Sequence, residues 1–196
     1  MATFAELCAD VYTLTNRPDL VSETKLAVKA ATLKAHQLDF FYKDIYEVGV
    51  QFDTSDYVQA LEYRTISPRY RALKYIRKTD VSGTPGDFLS VITPAMSLDK
   101  YGHQRDDICY AAGEVIQIKS STSLQYILFG CYRNPDITEN SYSSWIAVDH
   151  PYCIVYEAAA SVFKLTGDDE KSTVYKKLVD EQFMMLKASN IEAEGV

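Results

Sequence analysis

Three residues in the last third of the chain have side chains that could form a nucleophilic site: Asp149, His150 and Cys153. A cysteine attacks carbonyl carbons when a histidine removes its proton and an acidic residue orients that histidine. In such sites the fold brings the three partners together, because three neighbours at one helix start can rarely all point at one substrate. We therefore expect these residues to cap a helix, and we predict no catalytic residue and no enzyme.

Residue types that bind metals or nucleotides are present but poorly spaced. His36 falls within a predicted helix and His103 in a loop, so no two histidines have the spacing of metal ligands. The loop acids Asp99, Asp106 and Asp107 lack the alternate acids and the glycine of a calcium-binding loop. No GxGxxG or GK[ST] motif is present to hold a phosphate. We expect no metal ion and no cofactor.

Residues 64–78 carry six basic and no acidic side chains, with Tyr70 and Tyr75 among them. Such a segment can follow a phosphate backbone or contact an acidic protein. The alternative is a strand whose basic face is solvated, and we favour it. The chain has a formal net charge of −7, so a protein partner is favoured over nucleic acid for any contact, and broad nonspecific nucleic-acid binding is not expected.

Length and composition indicate one domain spanning residues 1–196, since 196 residues with 47% hydrophobic content can bury a sizeable core. The first residues include the acids Glu6 and Asp10 and lack the basic and apolar segments of a signal peptide, which predicts a chain that stays in a cytosol. Fifteen tyrosines fit either a contact-rich surface or a tyrosine-rich core. The four cysteines are widely spaced, which predicts reduced and mostly buried thiols at Cys8, Cys109, Cys131 and Cys153.

Helical patterns occupy both ends of the chain. Thr3 and Glu6 have the spacing of a capping box, which predicts a helix from Phe4 to the Asn16-Arg17-Pro18 turn. Ser22 suits the N-cap of a second helix, predicted to continue to Gly49. Near the C-terminus, a helix following Pro151 is predicted to stop at Gly167, and a fourth to run from the acids at 168–170 to about residue 189.

The middle of the chain has the alternation of β-strands. Between residues 50 and 140, β-branched and aromatic residues alternate with polar ones, and Gly113 marks a hairpin turn. The strands are predicted at 58–63, 72–77, 108–110, 115–119 and 125–132. The predicted fold class is α+β: a bundle of about four helices (1–49 and 147–189), a central antiparallel β region with long loops (50–140), and a flexible tail (190–196).

Several local motifs accompany this order of helices, β region and helices along the chain. The first helix ends at the Asn-Arg-Pro turn, and the Ala-rich second helix leads to Phe40-Phe41-Tyr42. After the β region come Trp145-Ile146, an Ala-rich helix, a glycine turn and a helix with an acidic start. Through these motifs the chain resembles the head-to-tail adaptors of short-tailed bacteriophages, also called head-tail connectors or tail tubular protein A. The resemblance covers nearly the whole chain, and its motifs are of moderate specificity.

The resemblance implies a structural virion protein, made in the host cytoplasm and located at the head-tail interface. It implies a homo-oligomeric ring, typically a dodecamer, between the portal protein and the tail nozzle protein, with no membrane contact. DNA would pass through the ring on ejection without sequence-specific binding. An acidic chain suits this role, because a channel wall that bound phosphates tightly would hinder passage.

The resemblance also assigns candidate contact residues. Contacts with neighbouring subunits are expected from the second predicted helix and the aromatic residues after it: Leu26, Ala30, Leu33, Phe40 and Phe41. Contact with the portal is expected from the C-terminal tail, including Asn190, Ile191 and Val196. Arg69, Arg71 and Lys74 are expected either to pair with acids of a neighbour or to face the channel, and the sequence does not choose between these two.

Two other hypotheses remain open. One is a non-viral or accessory protein-interaction module that acts as a monomer or dimer through a tyrosine-rich surface, which the size of the oligomer would distinguish. The other is an enzyme whose site is assembled from dispersed residues around His103, Asp106 and Asp107. Alanine substitutions there that abolish an activity without affecting assembly would favour it.

Overall fold

The computed structural model of the chain describes residues 3–80, 82–98, 102–103 and 105–194, and for residues 191–194 it describes the backbone alone. The chain forms two compact units. The first combines Met1–Asp44 with Asn134–Val196 and is helical; the second, Ile45–Arg133, contains the sheet. The α+β class with a β middle is confirmed.

Six α-helices lie in the described part of the chain. They are α1 Phe4–Thr15, α2 Val21–Gln37, α3 Tyr63–Ile66, α4 Trp145–Asp149, α5 Pro151–Leu165 and α6 Asp169–Glu194. The prediction of about four helices found the four longest, α1, α2, α5 and α6, and omitted α3 and α4 as separate elements. No helix within the described residues is both long and apolar enough to span a membrane.

The first helix begins as predicted. The Thr3 hydroxyl accepts a hydrogen bond from the Glu6 backbone N–H, and the Glu6 carboxylate accepts one from the Thr3 N–H at 2.7 Å. The helix ends at Asn16, which adopts the left-handed conformation with φ of 52°. The N-cap of α2 was predicted wrongly: it is Leu20, with no side-chain hydrogen bond, rather than Ser22.

The second helix is shorter than predicted. It ends at Gln37, and a short 3₁₀ segment, Tyr42–Asp44, leads into a strand that begins at Ile45. Residues 45–49 are therefore strand rather than helix, which corrects the predicted helical range 1–49. The Asp39 carboxylate accepts a hydrogen bond from the Phe40 N–H at 2.8 Å, a local bond that competes with continuation of the helix.

Helix α5 is the centre of the helical unit and packs against α1, α2, α4 and α6. Ala158, Ala159 and Ala160 are buried, and their small side chains allow neighbouring helices to approach closely. Gly167, with φ of 80°, makes the turn between α5 and α6. Residues 190–194, predicted as a tail after the last helix, continue α6, and residues 195–196 lie outside the described part.

Six strands form one sheet in the described part of the second unit. They are β1 Ile45–Leu61, β2 Tyr70–Thr79, β3 Pro85–Phe88, β4 Ser90–Val91, β5 Ile108–Ala112 and β6 Val115–Arg133. The long strand β6 is central, with β1 along one side and β2 and β5 along the other. β3 adds to β2, and β4 adds to β5.

The strand predictions hold in part. The turn at Gly113, with φ of 66°, joins β5 and β6 as predicted. The predicted strands 115–119 and 125–132 are one continuous strand. The strand predicted at 58–63 is in part the end of β1, which runs from Ile45 to Leu61, whereas Tyr63 begins α3. The sheet is mixed rather than antiparallel throughout, because β4 runs parallel to β5. One face of the sheet covers a core that includes Ile76, Ile127 and Phe129.

Candidate interaction surface

Helices α2 and α5 border an exposed apolar depression, which we call the α2–α5 groove. Its volume is about 340 Å³, and it is lined by Glu23, Leu26, Ala27, Ala30, Ser161, Val162 and Leu165. Leu26 is 69% exposed and Leu165 is 64% exposed. A second depression continues along α2 and is lined by Ala30, Leu33, Lys34, Gln37 and Leu38. The apolar residues of the two depressions make an apolar strip that follows α2 for several turns.

The helical period of α2 places this strip on the surface. Val28, Ala31 and Ala35 are buried on the inner face, packed into the helical core. Leu26, Ala30 and Leu33 are spaced by four and three residues, so they follow a different side of the helix. Of the predicted subunit contacts, Leu26 and Ala30 are exposed and Leu33 is half-buried in this strip. Phe40, beyond the end of α2, is 49% exposed.

Phe41 does not belong to this surface, which corrects the prediction. It is fully buried, and its ring contacts the ring of Trp145 edge-on with the centroids 5.3 Å apart. Two adjacent phenylalanines after a helix therefore have opposite environments. The sequence motif Phe40-Phe41 did not distinguish them, because burial depends on where the segment 142–145 packs.

A buried polar network lies beside Phe41, and sequence reasoning did not find it. His36 Nδ1 lies 2.8 Å from Asp44 Oδ1, and His36 Nε2 lies 2.9 Å from Ser144 Oγ. Trp145 Nε1 donates a hydrogen bond to the same Asp44 oxygen at 2.8 Å. His36, Asp44 and Ser144 are all buried. The network joins the end of α2, the segment before β1 and the start of α4.

A serine, a histidine and an aspartate in this order form the arrangement that activates serine nucleophiles. Here Ser144 is 8% exposed, and its Oγ also accepts the Ala147 N–H at 3.2 Å as the N-cap of α4. Asp44 accepts from Trp145 as well as contacting His36. A hydroxyl held in this way stabilises the packing of three chain segments and is poorly placed to meet a substrate.

The residues Asp149, His150 and Cys153 are not brought together around a reactive centre. Cys153 is fully buried, and burial raises the pKa of its thiol to about 11. Asp149 pairs with Lys43 at 2.7 Å. His150 occupies the N-cap position of α5, but its side chain makes no capping hydrogen bond, so the expected capping by side chains is wrong.

The basic segment 64–78 spans α3 and β2, and several of its cations contact aromatic rings. The Arg77 guanidinium lies 4.4 Å from the centre of the Phe88 ring, and Lys74 Nζ lies 5.4 Å from that of Tyr132. Arg69 and Arg71 are half-buried and have contacts within the chain. The segment is therefore a short helix and a strand, and several of its basic side chains have contacts within the chain. Whether Arg69, Arg71 and Lys74 pair with a neighbouring subunit or face the channel stays a prediction.

The loop acids make ion pairs with the sheet. Asp106 lies 3.0 Å from Lys119 Nζ, and Asp107 lies 2.5 Å from Lys78 Nζ. Partial burial raises the pKa of Asp107, but hydrogen bonds from Lys78 and Ser121 outweigh it and lower the value to about 2. His103 is exposed, and Asp99 lies outside the described residues. In the described part of the chain, no group of three or more metal-binding side chains is close enough to hold an ion.

The candidate portal contacts lie at the end of α6. Asn190 is 7% exposed and packs within the helical unit. Ile191 continues the helix, and only its backbone is described. Val196 lies outside the described residues. An exposed apolar group earlier on α6, Val174, Met184 and Met185, was not predicted as a contact. The adjacent pair Met184-Met185 was a signal in the sequence, because two successive residues of a helix point in different directions and cannot both face the core of the helical unit.

No protein-family model matches the chain, and no curated protein matches its sequence. The fold and surface define an α+β protein with a helical unit, a six-stranded sheet within the described residues, and an exposed apolar strip on its helices.

Proposed function

We propose that this chain is a head-to-tail adaptor of a short-tailed bacteriophage. It is a structural virion protein that forms a homo-oligomeric ring, typically of twelve subunits, between the portal protein and the tail nozzle. The ring extends the channel through which DNA leaves. In this proposal the four long helices α1, α2, α5 and α6 act as a bundle that packs against neighbouring subunits, and the end of α6 contacts the portal.

The α2–α5 groove is the observation that carries the proposal. Leu26 and Leu165 each expose more than half of their surface and border the same groove, beside the packed core of the helical unit. Contiguous exposed apolar surface on a folded protein usually marks a contact with another protein. A groove on one subunit that receives a different surface of the next is a heterologous contact, which produces a ring when the rotation closes.

The net charge is consistent with this role. A formal charge of −7 disfavours tight binding of DNA phosphates, as expected of a channel that DNA must traverse. The exposed residues of the groove, by contrast, are mostly apolar, which suits a contact between subunits rather than contact with DNA.

Ring formation tests the proposal. The purified chain is measured by native mass spectrometry and negative-stain electron microscopy, alone and with its candidate portal ring. We expect a ring that stacks on the portal. Leu26→Glu and Leu165→Glu are expected to reduce ring formation at least tenfold because each places a charge in the groove. Val91→Glu introduces the same charge at an exposed apolar position on β4, outside the four helices, and it is the matched control.

Two outcomes would count against the proposal. A chain that stays monomeric and ignores the portal contradicts the adaptor function. A chain that forms only dimers at every concentration, with or without the portal, favours the accessory interaction module instead. Rings formed equally well by wild type and by Leu26→Glu would leave the groove without its assigned role.

A further inference from the structure

Strand β1 has one open edge. It pairs with β6 through most of its 17 residues, and within the described part of the chain no other strand pairs with it. A strand with a partner on one side directs alternate N–H and C=O groups away from the sheet on the other side. The pairing with β6 is regular from residue 45 to 51, and its register shifts occur only after Gln51. Residues 45–51 thus form a regular open edge.

The edges formed by β3 and β4 are short or blunted. β3 has four residues and begins with Pro85, and β4 has two residues. Short strands and proline are common means by which sheets avoid pairing with other chains. β1 contains no proline, lysine or arginine. Its edge at 45–51 lacks these protective features.

A second open edge lies on the opposite side of the same sheet. β3 pairs with β2 at Arg77 and Thr79, and Leu89 N–H donates to the Ile76 carbonyl. Residues 70–75 of β2 therefore pair with β6 alone among the described strands, with register shifts between Tyr70 and Ala72 and between Leu73 and Tyr75. Among the described strands, the sheet thus has a regular open stretch at 45–51 on one side and a bulged open stretch at 70–75 on the other.

The charges of the two edge strands differ in sign. β1 carries Glu47, Asp53 and Asp56 and no basic residue, whereas β2 carries four basic residues and no acidic one. Pairing two copies of β1 would place like charges along one seam, which is unfavourable. Pairing β1 with β2 brings opposite net charges together. The basic residues Arg71 and Lys74 already have contacts in their own chain, so this attraction comes from the net charge of the strand and not from a free cation.

We propose that the β1 edge at 45–51 pairs with the β2 edge at 70–75 of a second copy of this chain, so that the sheet continues from one subunit to the next. β1 and β2 both run antiparallel to β6 and are therefore parallel to each other. Copies repeated in the same orientation set β1 of one parallel to β2 of the next. This contact is heterologous and is compatible with a closed ring. It rests on the proposed function for the ring, but strand pairing is tested separately.

Proline substitution at two successive positions tests the pairing. The N–H groups of successive residues in a strand point to opposite sides, so one of Gly49→Pro and Val50→Pro removes a bond to β6 and the other removes an outward N–H. We expect the variant that loses the bond to β6 to have a strongly lowered melting temperature. We expect the variant that loses only the outward N–H to keep the fold and to weaken self-association at least tenfold in sedimentation equilibrium. Gly49→Ala is the control, because an added Cβ there meets no atom within 4 Å.

Hydrogen exchange of the wild-type chain provides a readout that needs no variant. We expect amides in both segments, 45–51 and 70–75, to exchange at least tenfold more slowly in the assembled state than in dilute monomer. Unchanged exchange in these segments on assembly overturns the proposal, as does an outward-facing proline variant that folds and assembles like wild type. Protection of 45–51 by the nozzle protein, but not by a second copy, also overturns it.

The two proposals fail differently. If rings form on the portal but the amides of 45–51 and 70–75 are not protected from hydrogen exchange, the adaptor function is supported and the strand pairing is overturned. If the chain self-associates with these amides protected but does not bind the portal, the strand pairing is supported and the adaptor function is overturned.

Discussion

His36 Nδ1 and Asp44 Oδ1 are 2.8 Å apart in the interior of the helical unit, where both side chains are buried. The same Asp44 oxygen accepts a hydrogen bond from Trp145, and Ser144 lies against the other ring nitrogen of His36. These three hydrogen-bond contacts hold three chain segments together. Removing the histidine leaves buried polar groups without their partner, which costs more than the hydrogen bonds themselves contribute.

We expect His36→Ala to lower the free energy of unfolding by about 3 kcal/mol, since breaking a buried charged or polar pair has a cost of this size. Trp145→Phe is the control: it keeps an aromatic ring against Phe41 and loses one hydrogen bond, for an expected loss of about 1 kcal/mol. Urea unfolding followed by far-ultraviolet circular dichroism gives both values. Equal losses for the two variants would show that the histidine contributes no more than a single hydrogen bond.

Asp107 is expected to make stability depend on acidity. Its folded pKa of about 2 lies below the ordinary value of 3.8. Its stabilising contribution is therefore fully present above the unfolded value and is lost as pH falls from about 4 through about 2. We expect Asp107→Asn to be less stable than wild type at pH 7 by about 0.5 to 1 kcal/mol, the range for exposed pairs. The difference should shrink on acidification in that window.

The experiment compares urea midpoints from pH 7 down to pH 3. Asparagine suits the comparison because Asp107 has a φ of 55°, a conformation that asparagine tolerates. Lys78→Gln removes the opposite charge and should show the same trend. A difference between wild type and Asp107→Asn that stays constant over this range would contradict the assignment.

A side chain added at Gly130 is expected to lower the stability of the protein. A Cβ atom added there would lie 2.6 Å from Cζ of Tyr75, whose ring crosses the central strand and donates its hydroxyl hydrogen bond to Glu47. We expect Gly130→Ala to lower the free energy of unfolding by about 1 to 3 kcal/mol, because the ring must move. Gly49→Ala, at a site with open space, should change it little.

A double variant separates this clash from a general effect of alanine in a strand. Tyr75→Leu removes the ring, so Gly130→Ala should cost less in that background than in wild type. Thermal and urea unfolding of the four proteins give the coupling between the two positions. Additive losses would contradict a direct contact as the cause.

The cysteines are expected to react slowly in the folded chain. All four are free and buried, and burial raises the pKa of Cys109 to about 12. A chromogenic disulfide reagent at pH 8 should modify the folded protein at least about 100-fold more slowly than the urea-unfolded protein, where four thiols react. Cys8, with 5% exposure, should react first, and Cys8→Ala should remove that phase. Rapid reaction of any other cysteine in the folded state would contradict this.

Features set by hydrogen bonds between near neighbours were predictable from the sequence. The capping box of Thr3 and Glu6 and the turns at Gly113 and Gly167 lie where their residue types require. The alternation of apolar and polar residues likewise indicated a β middle. These signals depend on a few adjacent residues, so they hold whatever the rest of the chain does.

The end of α2 shows where local signals were insufficient. Residues 38–48 contain apolar residues at helical spacing, whereas the overlapping residues 46–53 alternate apolar with polar residues or glycine as a strand does. Pairing of residues 45–51 with β6, more than seventy positions later in the chain, selects the strand. Only long-range pairing distinguishes the two patterns, because both bury a similar set of side chains.

For the candidate interaction surface too, some residues were predictable from local sequence and others were not. Of the residues predicted to contact neighbouring subunits, Leu26 and Ala30 are exposed and Leu33 is half-buried on α2, whereas Phe41 lies in the core. The subunit contact itself stays a prediction. His36 is eight positions from Asp44 and 108 from Ser144, and no local pattern connects them. The sequence by itself determined the acidic character, the element types and several of their ends. Only the tertiary structure decided which polar and aromatic side chains are buried, because burial depends on the packing of segments far apart in the chain.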